Sequence, residues 1–289
     1  CILALLAVLP LHASEIRFTV LQINDIYEIG PVAGGTEGGV ARLATVKKQL
    51  MEENPQTIMV LAGDFFSPSA MGTARINGQR LAGAQMVDCL NHAGLDHATF
   101  GNHEFDLNEE EFLARMSESQ FAWTCSNVFD AEGGMFPGVE PWRIITFENP
   151  EGDTVNVGLL GLCIDSNPKP YVRYSDALET GREMVSVLRE KAPIIVALTH
   201  LNLEDDMVLA TEVEGINIII GGHEHENMYF RRGASRTVIA KADANARTVW
   251  VHRFVHNNDT QETSIDSELV FLDQNVNPDP KLEAIVQTW

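Results

Sequence analysis

Five segments of the chain end an apolar run in a side chain that could bind a metal ion or move a proton. They are Ile23-Asn24-Asp25, Leu61-Ala62-Gly63-Asp64, Phe100-Gly101-Asn102-His103, Leu198-Thr199-His200 and Ile220-Gly221-Gly222-His223-Glu224-His225. The densest is Gly101-Asn102-His103-Glu104-Phe105-Asp106, which follows His97-Ala98-Thr99-Phe100 and opens a helix-like run from Leu107 to Met116. One such ending alone has a plain explanation, because Asp after a strand commonly caps a helix and a lone His is usually just hydrogen-bonded. Several together converge, since strands of an open α/β sheet bring their C-terminal ends to one edge, where ligands bind. Glycine fits at Gly63, Gly101, Gly221 and Gly222, because a residue without Cβ permits a sharp turn and close approach to a ligand. Carboxylate, imidazole and amide oxygen without thiolate suit divalent Zn, Mn, Fe or Co. A carboxylate can bridge two such ions about 3.5–4 Å apart, and the pair can hold a hydroxide nucleophile at neutral pH. That is the chemistry of a phosphoryl-transfer site.

The elements that would position these residues are legible in the hydrophobic period. Strand patterns cover Ile16 to Ile23, Thr57 to Leu61, Phe121 to Ser126, Trp142 to Phe147, Val155 to Leu162, Ile194 to Leu198 and Ile216 to Ile220. Helical patterns cover Val40 to Met51, Gly83 to His92, Glu109 to Met116 and Ala177 to Lys191. The last third changes character, with short β-type runs at Tyr229 to Arg232, Thr237 to Lys241, Thr248 to Val255 and Thr263 to Leu272. A βαβα body followed by a meander implies two sheets, at least one mixed, flanked by helices. Asn275 to Pro280 is a Pro/Asn/Asp break, after which Lys281 to Trp289 begins a new helical pattern. The expected organisation is one domain over residues 15–274, then a linker and the start of a helix over 275–289, leading toward a further C-terminal domain.

With 289 residues, 45% of them hydrophobic, the chain can bury a large core. Its net charge of −21 argues against a nucleic-acid or anionic-membrane partner. An anionic substrate would then need local positive charge, which metal ions supply. Residues 1–14 form an apolar run ending in small residues, with Leu11-His12-Ala13 resembling a cleavage site. They read as the remnant of a secretory signal peptide, too short for the roughly 20 residues of a bilayer span. The expected location is therefore periplasmic or secreted, with no stable membrane anchor. Beyond Cys1, the cysteines Cys89, Cys125 and Cys163 are odd in number and lack C-x-x-C spacing. They are expected as buried small hydrophobes, with one pairing left open.

Taken in order, Asn24-Asp25, Gly63-Asp64, Gly101 to Asp106, Thr199-His200 and Gly222-His223-Glu224-His225 resemble the calcineurin-like metallophosphoesterases. Within them the chain is similar to the catalytic domain of bacterial secreted 5′-nucleotidases, from about Phe18 to Leu272. Gly38-Gly39-Val40-Ala41-Arg42-Leu43 and Val213 to His223 also look like that family. The resemblance implies a four-layer α/β/β/α sandwich with two mixed sheets, two divalent ions and a small phosphate ester, a nucleotide, as substrate. It also implies roles. Asp64 bridges both ions; Asn102, His200 and His223 complete the second site; Asp25 and His225 belong to the first. His103 pairs with Asp106 over the scissile phosphate, where an oriented, protonated imidazole can stabilise phosphoryl charge or protonate the leaving oxygen. Glu104 reads as an acidic first-turn residue that stabilises a helix N-terminus.

The chain departs from the family at Asp25-Ile26-Tyr27, where Asp-x-His is usual. Three readings follow. Tyr27 is a bystander with water or Glu28 filling the gap, or it ligates iron, or the first site binds metal weakly. The last leads to a second functional reading, a metal- or nucleotide-binding protein with impaired turnover. A sulfur-ester hydrolase on the same scaffold is a third. Phe65 and Phe66 could stack a base, although packing is the commoner role of such residues.

Overall fold

The computed structural model describes residues 14–289 apart from residue 77, so the expected signal-peptide remnant lies, but for Ser14, outside the described residues. Seven strands form one sheet in the spatial order Glu262–Phe271, Thr248–Asn257, Glu15–Ile23, Thr57–Ala62, His97–Thr99, Ala122–Thr124 and Val139–Glu140. The first two junctions are antiparallel and the other four parallel. Six strands form the second sheet, in the order Met228–Arg232, Thr237–Lys241, Ile218–Gly221, Ile194–His200, Thr154–Cys163 and Trp142–Glu148. Its central junctions are parallel and its two outer ones antiparallel. Both large sheets are mixed, as the family resemblance implies.

Alternation along each strand sorts side chains into layers. Ile16, Phe18 and Val20 face the gap between the sheets, where they meet Val157, Leu159, Val196, Leu198, Ile218 and Ile220. Leu21 and Ile23 face the other way, against Val40, Leu43, Met86 and Phe112 of the helices Val40–Glu53, Ala84–Ala93 and Glu109–Glu118. On the far side, Leu160, Ile195 and Ile219 pack on Val185, Leu188 and Leu209 of helices Ala177–Leu188 and Leu203–Glu212. The result is three apolar seams between four layers, helix, sheet, sheet and helix. Phe18 anchors the middle seam, its ring stacked 4.1 Å from Phe147 and 4.5 Å from Phe254; such pairs add about 0.5–1.5 kcal/mol to area burial.

The seam narrows toward the C-terminal strand ends. A Cβ on Gly161 would lie 2.0 Å from the Thr124 carbonyl oxygen and 2.6 Å from Thr99 Oγ1, so only glycine lets the sheets approach this closely. The Ser126 amide donates to the Gly161 carbonyl at 2.7 Å, tying one sheet to the other there. The same period carries the chemistry: Ile194, Val196 and Leu198 face the seam, so His200, next in that alternation, also points between the sheets.

Helix Leu203–Glu212 is an element the periodicity did not mark. Its first turn is Glu204, Asp205 and Asp206, and only Asp206, Leu209 and Ala210 are buried, too thin a stripe to register. His103–Asp106 is a short 3-10 turn rather than the opening of an α-helix. The α-helix starts at Glu109, because Asn108 and Glu111 form a reciprocal capping box. Helix Pro280–Val286 packs Leu282 into the same helical layer, with Asp279 capping its first turn. No helix of the described residues is long and apolar enough to cross a membrane. Cys89, Cys125 and Cys163 are buried free thiols, as their spacing suggested, and Phe65 and Phe66 are packed around Trp123 rather than free to stack a base.

Candidate metal centre

The strand ends of both sheets meet at one point. Asp25 follows Glu15–Ile23 and its amide donates to Gly63 O at 3.0 Å, while His200 Nδ1 lies 2.7 Å from Ala62 O across the seam. That bond fixes the tautomer: Nδ1 carries the proton to the carbonyl, and Nε2 is left facing the acids. Nε2 is 3.1 Å from Asp64 Oδ2 and 4.0 Å from Asp25 Oδ1. Ligand atoms of Asp25, Asp64 and His200 all lie within 4.8 Å of one another, and the three residues are buried.

The turns that deliver these groups are held in a costly backbone conformation. Asp25, Asp64, His223 and His225 have φ of 53°, 61°, 88° and 62°, the left-handed region that non-glycine residues avoid at roughly 1–3 kcal/mol each. Neighbouring glycines leave them space. A Cβ on Gly101 would fall 2.1 Å from Asp64 Oδ1, and one on Gly222 would fall 2.8 Å from His200 Nδ1.

Other expected residues arrive around this nucleus. His225 Nε2 is 3.2 Å from Asp25 Oδ1. The His223 amide donates to Asp25 Oδ2 at 2.8 Å, and its ring stands edge-on to that of His200 with centroids 5.2 Å apart. The His103 amide donates to Asp64 Oδ1 at 2.8 Å, while its Nδ1 meets Asp106 Oδ2 at 2.7 Å. That ring is about a third exposed, at the rim rather than among the buried acids. Asn102 buries its Oδ1 without a hydrogen-bond partner.

Tyr27 is not held apart from the centre. Its hydroxyl lies 3.1 Å from Asp25 Oδ1, 3.2 Å from Asp64 Oδ2 and 2.9 Å from His225 Nε2. Its amide and that of Glu28 donate to Asn245 Oδ1 at 2.9 and 3.1 Å, which fixes the turn.

Charges at the centre pull against burial. Burial pushes the His200 imidazole down, but Asp64 and Asp25 outweigh it and raise His200 to about 10. For Asp25, burial pushes upward, and His200 with hydrogen bonds from His225, the His223 amide and Asn24 holds it below the ordinary carboxylate value. The His225 hydrogen bond to Asp25 raises that imidazole. Burial and then His200 lower His223. Burial, Asp64 and Asp25 together raise Tyr27 far above a normal phenol.

The donor set fits a metal ion on the chemistry of the residues present. Buried polar atoms are ordinarily satisfied, yet His200 Nε2 and Asn102 Oδ1 have no hydrogen-bond partner. Each is a potential ligand atom, and His200 Nε2 faces Asp64 and Asp25, where an ion would take the place of its proton. The resemblance would give Asp25, Asp64 and His225 to one ion and Asp64, Asn102, His200 and His223 to the other.

The sequence does not reveal how the supporting residues act. Glu104 lies in the first turn of the short helix as expected, but its fully buried carboxylate turns back. It accepts from the amides of Asp64 and Gly101 at 2.8 and 2.6 Å and of Phe65 and Phe66 at 2.7 and 3.1 Å. Burial and Asp64 raise it to about 7 against these donors. Asn167 Nδ2 donates to Asn102 O at 2.8 Å and to Asp106 Oδ1 at 2.9 Å. Lys241 is wholly buried, donates to Leu201 O at 2.7 Å and Gly222 O at 2.8 Å, and pairs with Asp206 and Glu224.

A family model described as calcineurin-like phosphoesterase matches residues 18–227. Human 5′-nucleotidase is 27% identical over 260 residues, which cover 83% of this chain and 43% of that protein. The trifunctional nucleotide phosphoesterase protein YfkN of Bacillus subtilis is 29% identical over 261 residues, covering 78% of this chain and 17% of that one. The chain therefore spans less than half the length of these relatives. Among solved structures, the calcineurin-like phosphoesterase YfkN from Bacillus subtilis has a TM-score of 0.79 at 20% identity, covering 95% of this chain and 96% of that one. The 5′-nucleotidase precursor from Thermus thermophilus has a TM-score of 0.80 at 20% identity, covering 94% and 58%. With the family model spanning most of the sequence and the two-sheet sandwich in agreement, the chain belongs to the calcineurin-like phosphoesterase family.

Proposed function

We propose that the chain hydrolyses phosphate monoesters of nucleotides at a two-metal centre, as an exported enzyme of the 5′-nucleotidase or nucleotide-sugar hydrolase type. The observation that carries this reading is the convergence of Asp25, Asp64 and His200 within 4.8 Å, beside a His103–Asp106 pair that faces outward. The substrate class is supported by the curated relatives, which are named 5′-nucleotidases and nucleotide phosphoesterases. Export is supported by the apolar run over residues 1–14.

Bound at Asp25, Asp64, Asn102, His200, His223 and His225, the ions would supply a nucleophilic hydroxide and neutralise the phosphoryl oxygens. The remaining work falls to side chains. His103 Nδ1–H donates to Asp106 Oδ2, which leaves Nε2 as the ring atom free for substrate. An imidazole so oriented can donate from Nε2 to the leaving oxygen or hold a phosphoryl oxygen, a contribution of roughly 10²–10⁴ in rate. The His103 amide, anchored on Asp64 Oδ1, keeps that ring in register with the Asp64 carboxylate.

Hydrolysis of AMP or p-nitrophenyl phosphate should appear with added Mn or Zn and disappear in Asp64→Ala and His200→Ala. Absence of turnover with every divalent metal tried would remove the proposal. The second reading, nucleotide or metal binding without turnover, is favoured by one observation, the Tyr27 hydroxyl lodged among three first-site ligand atoms. One tightly held ion per chain, AMP binding without hydrolysis, and recovery of activity in Tyr27→His would establish it.

A further inference from the structure

A cleft of about 530 Å³ opens between strand Glu262–Phe271 of one sheet and the hairpin Met228–Arg232 to Thr237–Lys241 of the other. It lies at the opposite ends of the strands from the metal centre. Pro193, just before strand Ile194–His200, lines the cleft, and that strand carries His200 at its far end. Its 7 residues, at about 3.3 Å each, separate the two places by roughly 20 Å.

The lining is a set of donors. Arg231, Arg236, Asn217, Ser235, Thr263 and Ser264 border the cleft, and no carboxylate does. Asn217 Oδ1 accepts from the Ile195 amide at 2.8 Å, which leaves its amide nitrogen as the free end. Arg231 gives one N–H to the Tyr229 hydroxyl at 3.1 Å and keeps the rest. In a chain of net charge −21, arginines readily find acids, as Arg17, Arg115, Arg182 and Arg253 do. Among the described residues, Arg231 and Arg236 have no such partner. Arg236 is also held at φ 54°, a conformation that suits glycine and strains a long side chain. Its amide closes a turn on Gly233 O at 3.2 Å, and a Cβ on Gly233 would fall 2.3 Å from Ala210 O, so the turn sits tightly on helix Leu203–Glu212. Thr237 Oγ1, donating to Ile216 O at 2.8 Å, fixes the strand that follows. An arginine kept on a rigid turn where glycine would be easier points to a use for its side chain.

We propose that this cleft binds a phosphate group or a similar oxyanion, as a site separate from the metal centre. Guanidinium groups meet phosphate oxygens with paired N–H donors, and the hydroxyls and the Asn217 amide add more. The missing carboxylate spares an anion the repulsion it meets elsewhere on so acidic a surface. The phosphate is either free or carried by a nucleotide. The site does not depend on the two-metal reading.

The test titrates the full chain with inorganic phosphate by calorimetry, metal-loaded and then with chelator, and with AMP under chelator. Chelation removes phosphate held by metal ions and leaves phosphate in the cleft. The wild type should keep one phosphate site per chain under chelator, weakened roughly 10-fold or more in Arg231→Ala and in Arg236→Ala, as loss of charged hydrogen bonds implies. Arg236→Gly relieves the backbone while removing the donor, so it should melt no lower than wild type and still bind weakly. That combination separates a ligand from a scaffold residue. AMP bound more tightly than phosphate, with the same sensitivity to Arg231 and Arg236, identifies a nucleotide as the carrier; phosphate bound as tightly as AMP identifies the free ion. No binding of either anion under chelator, or an affinity unchanged in Arg236→Gly, overturns the proposal and leaves hydrolysis at the metal centre unaffected.

Discussion

At the scale of single residues, the candidate site divides into groups that bind and groups that aim. Asn167 belongs to the second class. Its Nδ2 reaches both Asn102 O and Asp106 Oδ1, and Asp106 Oδ2 in turn holds His103 Nδ1. One amide therefore sets the carboxylate that sets the imidazole. Asn167→Ala should lower kcat by roughly 10-fold with KM for AMP nearly unchanged, the lower end of what outer-shell partners contribute. Asn167→Asp, which places a second charge against Asp106, should do worse. Steady-state kinetics of the two variants at fixed metal content decide it, and wild-type kcat in both would show that Asp106 needs no such support. Asn167 also marks where sequence reading stops. Asp25, Asp64, Asn102, His200, His223 and His225 are legible because each lies just beyond the end of an apolar run, His223 and His225 sharing one. Asn167 sits in an irregular loop 61 residues from Asp106, and no period or spacing ties the two. Glu104 was visible yet misjudged in role, because a first-turn acid looks the same whether it faces its own helix or, as here, the amides of a neighbouring turn.

At the scale of elements, the two ligand-bearing loops of the second sheet are joined by a buried charge cluster. Lys241 ends the strand Thr237–Lys241 and holds the carbonyls that follow His200 and precede His223, with Asp206 2.9 Å from its Nζ. Thr199 Oγ1 donates to the other oxygen of Asp206 at 2.8 Å. A charge ending an otherwise apolar strand was the available clue in the sequence, but helix Leu203–Glu212, which brings Asp206, was not recognisable from its acidic first turn. Removing one member strands the others in a dry interior. Lys241→Met should destabilise the chain by about 3–5 kcal/mol, the penalty of an uncompensated buried charge. The double variant Lys241→Met with Asp206→Leu should recover part of that loss, since paired removal is often nearly neutral. Denaturant melts of the single and double variants measure the difference. A double variant less stable than Lys241→Met alone would mean that Asp206 contributes through Thr199, not through the lysine.

At the scale of the whole molecule, the sandwich was readable because three apolar seams impose clean alternation on strands such as Ile16 to Ile23. The polar groups inside the middle seam were not, since nothing local distinguishes a buried Gln or His from an exposed one. Gln22 Nε2 donates to Gly221 O at 3.1 Å and to Ala240 O at 2.8 Å, stitching one sheet to the other. Its Oε1 is 2.9 Å from His252 Nε2, and His252 Nδ1 is 2.8 Å from Ser267 Oγ. Since Gln22 Oε1 can only accept, His252 donates from Nε2 and accepts at Nδ1, which is the neutral ring with both nitrogens satisfied. Burial lowers this imidazole to about 3. The unfolded chain binds a proton near an ordinary pKa of about 6.5, so below that pH the unfolded state takes up a proton that the folded state refuses. The stabilising effect of the neutral ring is therefore complete above about pH 6.5 and is lost progressively as pH falls toward 3. Between pH 7 and 4 the loss should be on the order of 3 kcal/mol for this group. His97, lowered by burial to about 4 against the pull of Asp96, acts in the same direction. Carboxylates and the metal ligands titrate over the same range, so the measurement is a difference. Stability is followed from pH 7 to pH 4 in the wild type and in His252→Gln, whose side-chain amide can still donate to Gln22 and has no proton to gain. The variant should lose less stability on acidification than the wild type, even if it starts lower. Parallel pH curves for the two proteins would show that His252 is protonated within the folded sandwich and that the seam tolerates charge.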